Sequence, residues 1–442
     1  MKNSLTGLLF VTSSLLFASC TKDAQVVAPT AAANPSEVLS YKTTIVPTID
    51  GAIDAQWGNA TVTNLAAVVP DPGANGLFAG YIGENYAGTI RSMYDATNIY
   101  FLVEVKDADK NNKPSPWYFS PATNLWMKDG NAKVFDASGV LTREGFGSDQ
   151  LALLFNIDNS TAKFATQTCY ASCHIFSNYV DYSTGVAVLK PYGSPGANHY
   201  TNGANEKIDM WWTQPNRGQA YGKMDDNYQD WAGGPSVTSL VGNAGNGRKL
   251  DGQVVTTAKG TTFPFGPVYS SADPTNAGVA NTQNLKLDGT GTSVAVPKFI
   301  IPSSTADFLK AEDTISGGVA KRVVGVSSTG VLSLEDGSTL DPKVGTDYQR
   351  LGTSANAALG AKCIPSQVVA NLTAGRADIS LSAVYTGAGW VYEIKRALKT
   401  SDVLKQDVDF TSLADFPFGL AIWNRSNYQH GLQTGLLLKF QK

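Results

Sequence analysis

Chemically reactive side chains are scarce in this chain of 442 residues, which has only four cysteines and three histidines. Three histidines leave little capacity for acid–base catalysis, and the sequence contains no G-x-S-x-G, H-E-x-x-H or P-loop motif. Charged residues make up 16 % of the chain, and the net charge is −3. This weak negative charge gives no reason to expect a nucleic-acid partner. The composition therefore argues against a hydrolase, a nucleotide-hydrolysing enzyme and a DNA-binding protein.

Two of the four cysteines and one of the three histidines lie within six consecutive residues, Cys169-Tyr-Ala-Ser-Cys173-His174. Outside the cytosol, such a segment is typical of covalent c-type haem attachment, in which two thiols bond to the porphyrin. The adjacent imidazole then becomes an axial ligand of the iron. The usual spacer between the cysteines has two residues, whereas this one has three. We predict one covalent haem c on Cys169 and Cys173, with His174 as an axial ligand.

Two other interpretations of this segment remain open. Cys169 and Cys173 could form a local disulfide, which would leave His174 as an incidental surface residue. A zinc site is the other possibility, but the chain has no second Cys/His pair at ligand spacing to complete it. If Cys20 carries a lipid, as predicted below, three cysteines remain, and an odd number suits a disulfide scaffold poorly. We expect the last cysteine, Cys363, to be a small buried residue.

The first residues of the chain form an export signal. A basic Lys2 is followed by an apolar stretch at 8–17 and by small residues immediately before Cys20. This pattern resembles a bacterial lipoprotein signal. We predict that residues 1–19 are removed and that Cys20 is lipidated.

The segment that follows is polar and contains proline, so we interpret residues 20–40 as a tether. The apolar stretch of the signal is too short for a confident membrane span. We therefore expect a protein of the cell envelope that is anchored only by its lipid. An aspartate directly after the lipidated cysteine would retain the protein in the inner membrane. This chain has Thr21 at that position, so we expect the outer membrane.

Alternating apolar and polar residues predict an all-β domain over residues 41–442. The predicted strands lie at 98–107, 151–158, 321–328, 390–398, 418–424 and 435–440. Short helices are expected near 165–180 and 304–311. Two insertions, near 108–147 and 230–350, interrupt the pattern, and we expect them to form long loops and a hairpin subdomain.

Arg396 lies on the predicted strand at 390–398, where it alternates with Trp390, Tyr392 and Ile394. An arginine on a buried face needs a carboxylate partner. Asp378, Asp407 or a haem propionate would each serve, so Arg396 is not counted as a site residue.

A series of segments resembles, in order and spacing, a known haem-binding family. The segments are residues 47–60, 89–109, 147–158, 206–226, 375–400 and 407–410. The family is typified by the γ subunits of ethylbenzene dehydrogenase and dimethylsulfide dehydrogenase. The resemblance implies an immunoglobulin-like β-sandwich with long loop insertions and a few short helices, which binds one haem at one end. Within that family, Cys169, Cys173 and His174 place the chain in the free-standing c-type cytochrome branch.

One departure from the family concerns the tryptophan-rich segment, which often has a histidine between two tryptophans. Here the segment reads Asp209-Met210-Trp211-Trp212, without a histidine. Any role of that histidine is therefore absent from this protein.

A low-spin electron carrier needs a second strong axial ligand beside His174. The resemblance places a ligand-capable residue at the position of His199, in the loop that joins the haem motif to the tryptophan pair. We predict His199 as this second iron ligand. His430 and Met210 are the alternatives.

These observations predict a lipid-anchored c-type cytochrome that transfers electrons in the cell envelope to an unknown redox partner, without catalytic residues of its own. One alternative is a carbohydrate- or other ligand-binding β-sandwich lipoprotein without a redox role. The other is the haem subunit of a molybdenum oxidoreductase complex.

Overall fold

Strands are the main regular structure in the described part of the chain. The computed structural model describes residues 36–71, 78, 80–130, 132–172, 178–181, 188–191, 201, 205–230, 249–251, 254–257, 260–262, 279–302, 307–343, 348 and 363–442. Within them lies one short α-helix, α1 (Phe164–Gln167). The 3₁₀ turns are Ala55–Asn59, Ile157–Asn159, Thr168–Ala171, Gly218–Tyr221, Ala311–Thr314 and Ala374–Ala377. None of the helices in these ranges is long and apolar enough to cross a membrane.

The strands are numbered in chain order. Strands β1 to β10 are Ser36–Lys42, Thr63–Val68, Asn85–Tyr94, Asn98–Lys106, Trp117–Ser120, Leu125–Lys128, Val134–Phe135, Leu141–Arg143, Ser148–Asn156 and Asn178–Asp181. Strands β11 to β20 are Val188–Pro191, Lys207–Thr213, Lys223–Asp230, Lys249–Leu250, Val254–Thr257, Gly260–Thr262, Val279–Ala280, Gln283–Lys286, Ser293–Val296 and Phe299–Ile300. Strands β21 to β29 are Leu309–Lys310, Lys321–Val326, Leu332–Leu334, Thr339–Leu340, Gln367–Val369, Ile379–Tyr385, Gly389–Ala397, Phe416–Ser426 and Gly431–Phe440.

Twelve strands form the main sheet, in the order β1-β29-β2-β3-β4-β27-β26-β13-β12-β9-β28, with β14 added beside β13. Strand β28 also pairs with β29, so the sheet closes on itself. Neighbouring strands are antiparallel except β1, which runs parallel to β29 and β3. Closure leaves the strands at the centre of the sheet without a free edge.

Aromatic side chains from opposite sides of the closed sheet meet in its interior. The ring centroid of Phe101 on β4 lies 6.1 Å from that of Phe155 on β9 and 5.9 Å from that of Trp211 on β12. It also lies 6.3 Å from the ring of Phe418 on β28. The sheet is therefore flattened into a sandwich around one packed core.

The predicted all-β sandwich class is confirmed. The strands predicted at 98–107, 151–158 and 390–398 correspond to β4, β9 and β27. Those predicted at 418–424, 435–440 and 321–328 correspond to β28, β29 and β22. Helix α1 and the turn after it lie within or beside the predicted helical region at 165–180.

The described parts of the two predicted insertions share a second, smaller hydrophobic core. Trp117 and Phe119 on β5 pack there with side chains from β22 to β24. The indole Nε1 of Trp117 donates a hydrogen bond of 2.7 Å to the carbonyl oxygen of Asn281. This core extends beyond residue 350 to Ile364. The neighbouring Cys363 is 6 % exposed, and burial raises the pKa of its thiol, as expected for an inert buried cysteine.

Strand β12 has both of its faces covered, and its alternation divides its side chains between two environments. Trp211 points into the central core. Met210 and Trp212 point to the outside of the sheet, where a separate apolar cluster covers them. Neighbouring residues of β12 therefore belong to different apolar clusters, one inside the sandwich and one outside it.

Candidate functional site

The first cysteine of the segment 169–174 packs against the outer face of the sheet formed by β9, β12 and β28. Cys169 lies in the turn Thr168–Ala171 and is 5 % exposed. The apolar residues that pack around it form what we call the outer cluster, consisting of Ala152, Leu154, Phe164, Ala171, Ile208, Met210, Trp212, Ala421, Trp423 and Leu432, with Tyr170 at its edge. The segment that carries the thiol thus covers an apolar face of the sheet.

A glycine lets this turn approach the sheet closely. A Cβ atom at Gly419 on β28 would lie 2.9 Å from Cβ of Thr168 and 3.3 Å from Sγ of Cys169. The first separation is shorter than real Cβ contacts allow, so only glycine fits beneath the turn. Gly419 therefore sets the depth at which the thiol lies.

The backbone just before the thiol is strained. Thr168 has φ 42° and ψ −111°, a conformation that a β-branched residue adopts only as an outlier. Such strain costs on the order of 1–3 kcal/mol and persists only where the surrounding structure imposes it. Thr168 is fully buried, and within the described part of the chain its Oγ1 has no hydrogen-bond partner. The packing of the turn on β28 holds this conformation.

Polar side chains hold the large residues of the outer cluster in place. The indole Nε1 of Trp212 donates a 2.9 Å hydrogen bond to Oε1 of Gln150. The guanidinium of Arg217 lies 4.4 Å from the centroid of the Trp212 ring. The thioether sulfur of Met210 accepts a 3.5 Å hydrogen bond from Nε2 of Gln229. Met210 and Trp212 are therefore fixed in orientation.

His430 adjoins the outer cluster through Trp423. The two rings are stacked, with centroids 4.5 Å apart and planes at 29°. Nδ1 of His430 lies 2.5 Å from the carbonyl oxygen of Tyr428. Burial lowers the pKa of His430 to about 4, so the ring is neutral near pH 7. A neutral ring that donates its Nδ1 proton to a carbonyl keeps a lone pair on Nε2, the form in which histidine binds metals.

The structure brings together three of the residues considered from the sequence. Cys169 and Met210 share the outer cluster, and His430 stacks on its Trp423. The other predicted site residues lie outside the described residues, and these are Cys20, Cys173, His174 and His199.

Sequence analysis missed Gly419 and Trp423. The apolar run at 418–424 predicts a buried strand, which β28 is, and its side chains alternate between two separately covered faces. Phe418, Leu420 and Ile422 lie in the central core, and the intervening side chains of Ala421 and Trp423 lie in the outer cluster. A glycine within a strand often marks a place where another backbone segment approaches closely. The glycine at 419 in the sequence could therefore have indicated this contact.

The family model described as ethylbenzene dehydrogenase matches residues 82–435 of this chain. The chain belongs to the ethylbenzene dehydrogenase family. This confirms the resemblance that the ordered segments of the sequence indicated. A comparison with curated proteins gives no match.

Solved structures similar to this family member include a carbohydrate binding module of family 9 from Caldicellulosiruptor kristjanssonii, in complexes with glucose and with cellotriose. Both are 7 % identical to this chain, with a TM-score of 0.25. The match covers 92 % of this chain and 95 % or 93 % of the other. A similarity this low does not bear on what this chain binds.

Replacing Gly419 with alanine should displace the cysteine-bearing turn. Because the new Cβ would overlap Thr168, we expect the free energy of unfolding to fall by about 1–3 kcal/mol in urea denaturation. Gly58→Ala is the matched control, since no atom lies within 4 Å of a Cβ at that position. Its effect should stay within about 1 kcal/mol. Equal effects of the two substitutions would contradict the close packing described here.

The neutral state of His430 should make stability depend on pH. An unfolded histidine gains a proton below about pH 6.5, whereas the folded protein resists protonation down to about pH 4. The contribution of His430 is therefore complete above pH 6.5 and is lost as the pH falls towards 4. His430→Phe keeps an aromatic ring for stacking but cannot titrate. We expect the loss of unfolding free energy between pH 7 and pH 5 to be smaller in this variant, by about 1–2 kcal/mol. An identical loss in both proteins would show that His430 is not held neutral.

Proposed function

We propose that this protein is a c-type cytochrome that carries one haem on Cys169 and Cys173, with His174 as an axial ligand, and transfers electrons to a partner protein. The observation that carries the proposal is the seating of Cys169. This first cysteine of the haem-type segment is 5 % exposed and packs on an apolar, tryptophan-bearing face rather than lying in a solvated loop. The chain's family supports the same reading, because the sequence resembles its haem-binding members.

The residues of the outer cluster fit such a group. A porphyrin is a flat apolar ring that needs apolar cover, and Trp212 and Trp423 have ring centroids 6.4 Å apart beside the thiol. Thiol, thioether and neutral imidazole are all present at this face, in Cys169, Met210 and His430. Of these, we propose that only the thiol of Cys169 bonds to the haem, as in covalent c-type attachment. When bound, the haem would supply one-electron redox chemistry.

The protein's own residues would set the conditions for that chemistry. The thiol of Cys169 would anchor the ring edge at the depth fixed by Gly419. The two tryptophans would exclude water and lower the local dielectric, and burial is one of the means by which a protein tunes a haem potential. This role needs no general acid or base, so we propose an electron carrier rather than a catalyst.

We propose His199 as the second axial ligand. Met210 and His430 are the described competitors, and each already has a structural partner. Met210 accepts a hydrogen bond from Gln229, and His430 stacks on Trp423. Their removal should therefore weaken packing without changing the spin state of the iron.

Covalent haem attachment predicts an intact mass that exceeds the mature polypeptide by one haem. Haem staining should survive a denaturing gel, because thioether bonds resist denaturation. Cys169→Ser and Cys173→Ser should each leave one thioether and shift the pyridine haemochrome band. Cys363→Ser is the control, because this buried thiol belongs to the second core, and it should leave the band unchanged. Extraction of all haem into acidified organic solvent, or a protein without a Soret band, would refute the proposal.

Ligation by His199 predicts that His199→Ala gives a high-spin ferric spectrum and binds added imidazole readily. His430→Ala and Met210→Ala should keep the low-spin spectrum of the parent protein. An unchanged spectrum in the His199 variant, together with a high-spin spectrum in one of the others, would transfer the role to that residue.

We also propose that Cys20 carries the lipid that holds the protein at the outer membrane. Cys20→Ala should release the protein in soluble form, because the tether at 20–40 would no longer end in an anchor. Fractionation with a carbonate wash measures this. Retention of the variant in the membrane pellet would point to a different anchor. Co-purification of a molybdenum enzyme with the wild-type protein would instead identify it as a subunit of an oxidoreductase.

A further inference from the structure

A cluster of buried charged side chains lies inside the sandwich, on the opposite face of β12 from the outer cluster. Its centre is Arg396 on β27, whose side chain is fully buried. Nη1 of Arg396 lies 2.7 Å from Oδ2 of Asp209, and Nη2 lies 3.6 Å from Oδ2 of Asp407. The guanidinium also lies 4.9 Å from the centroid of the Trp211 ring. Arg396 is thus held by protein carboxylates.

Three carboxylates converge at this point. Asp209 on β12, Asp226 on β13 and Asp407 in the loop before β28 each offer an oxygen, and these oxygens all lie within 4.8 Å of one another. Asp209 and Asp226 are fully buried, and Asp407 is 8 % exposed. One arginine cannot balance three buried negative charges, and an uncompensated buried charge is strongly unfavourable.

The charge that lacks a partner is that of Asp226. Both of its carboxylate oxygens are buried, and neither has a hydrogen-bond partner among the described residues. In contrast, Oδ2 of Asp209 accepts hydrogen bonds from Arg396 and from the backbone N–H of Val408. A fully buried carboxylate without a partner is rare in folded proteins, and an unseen ion is one of the standard explanations.

We propose that Asp209, Asp226 and Asp407 bind a hard divalent cation, of which Ca²⁺ is the best match. Ca²⁺ binds carboxylate oxygens at about 2.3–2.6 Å, so two of its ligands lie at most roughly 5 Å apart. The oxygens here satisfy that limit. Three carboxylates, one guanidinium and one divalent cation sum to zero net charge. The donor set contains only oxygen, which disfavours zinc and copper.

The electrostatics of the neighbouring groups agree with a missing positive charge. Burial, followed by repulsion from Asp209 and Asp407, raises the pKa of Asp226 well above its usual range. Burial and the same two neighbours raise the pKa of Asp251 to about 8. A cation bound between the three carboxylates would relieve this repulsion, and a cluster neutralised by protons instead is distinguishable by experiment.

The site is separate from the proposed haem site and would serve a structural role. A cation there would join β12, β13 and the loop that leads into β28. Because its ligands are not haem ligands, the prediction stands whether or not the haem proposal holds.

The test is a calcium titration of the full-length purified protein after treatment with a chelator. Native mass spectrometry should show one Ca²⁺ bound per chain. The Tm should rise by on the order of 5 °C when free calcium reaches about one hundred times the Kd. Parallel titrations with Mg²⁺ and Mn²⁺ should give smaller shifts. Absence of both bound metal and a Tm response to all three cations would overturn the proposal and leave the cluster neutralised by protons.

Asp226→Asn locates the site, because it removes the unpartnered charge with little change in shape. The calcium-dependent rise in Tm should disappear in this variant. Asp149→Asn is the matched control, since Asp149 is also a buried aspartate whose pKa is raised by burial. Its carboxylate accepts hydrogen bonds from the Trp390 indole and from backbone N–H groups, so it has partners of its own. The control should keep the full calcium response.

A calcium response that survives in Asp226→Asn would place any cation elsewhere and refute this site. If that variant does not fold, Asp407→Asn takes its place, because Asp407 reaches the cluster from a loop. Loss of the response in this second variant supports the site, and its persistence refutes it.

Discussion

Strand β9 is buried along its whole length, on both faces, and the rest of the structure depends on covering it. Its inner side chains, such as Leu153 and Phe155, pack in the central core. Its outer side chains, Ala152 and Leu154, would contact water unless another segment covered them. Since the main sheet has closed on itself, none of its described strands covers this face. The short segment from α1 to the turn at Thr168–Ala171 supplies the cover, and this segment carries the cysteine.

This arrangement explains how a short turn is held with a strained residue in it. A four-residue helix has too few hydrogen bonds to be stable alone. Its position therefore depends on Phe164 and Cys169, which pack into the outer cluster, and on the space left by Gly419. Strain at Thr168, of the order of 1–3 kcal/mol, is offset by this packing. Apolar burial in the outer cluster thus contributes to the position of the thiol.

Periodicity in the sequence predicts β4, β9, β27, β28 and β29 of the main sheet, because alternation and apolar runs reflect burial directly. It was not enough to predict which face each side chain contacts. Arg396 was expected to need a carboxylate, and Asp407 is indeed one partner, but the closer one is Asp209. The two residues are 187 positions apart in the chain. Strands β27 and β12 are separated in the sheet by β26 and β13, and the inward-facing side chains of Arg396 and Asp209 meet in the interior of the sandwich. Asp226 was missed for the same reason.

Strand β12 links the two sites through one stretch of backbone. Asp209 is fixed on the inner side by Arg396 and by the backbone of Val408. Because side chains alternate along a strand, fixing Asp209 inward also fixes the outward direction of Met210 and Trp212. A one-residue slip of β12 against β9 would move the carboxylate to the apolar outer face and Met210 into the charged interior. The buried ion pair between Asp209 and Arg396 therefore fixes the register of β12. This register places Trp212 and Met210 in the outer cluster, and apolar packing alone would fix it less strictly.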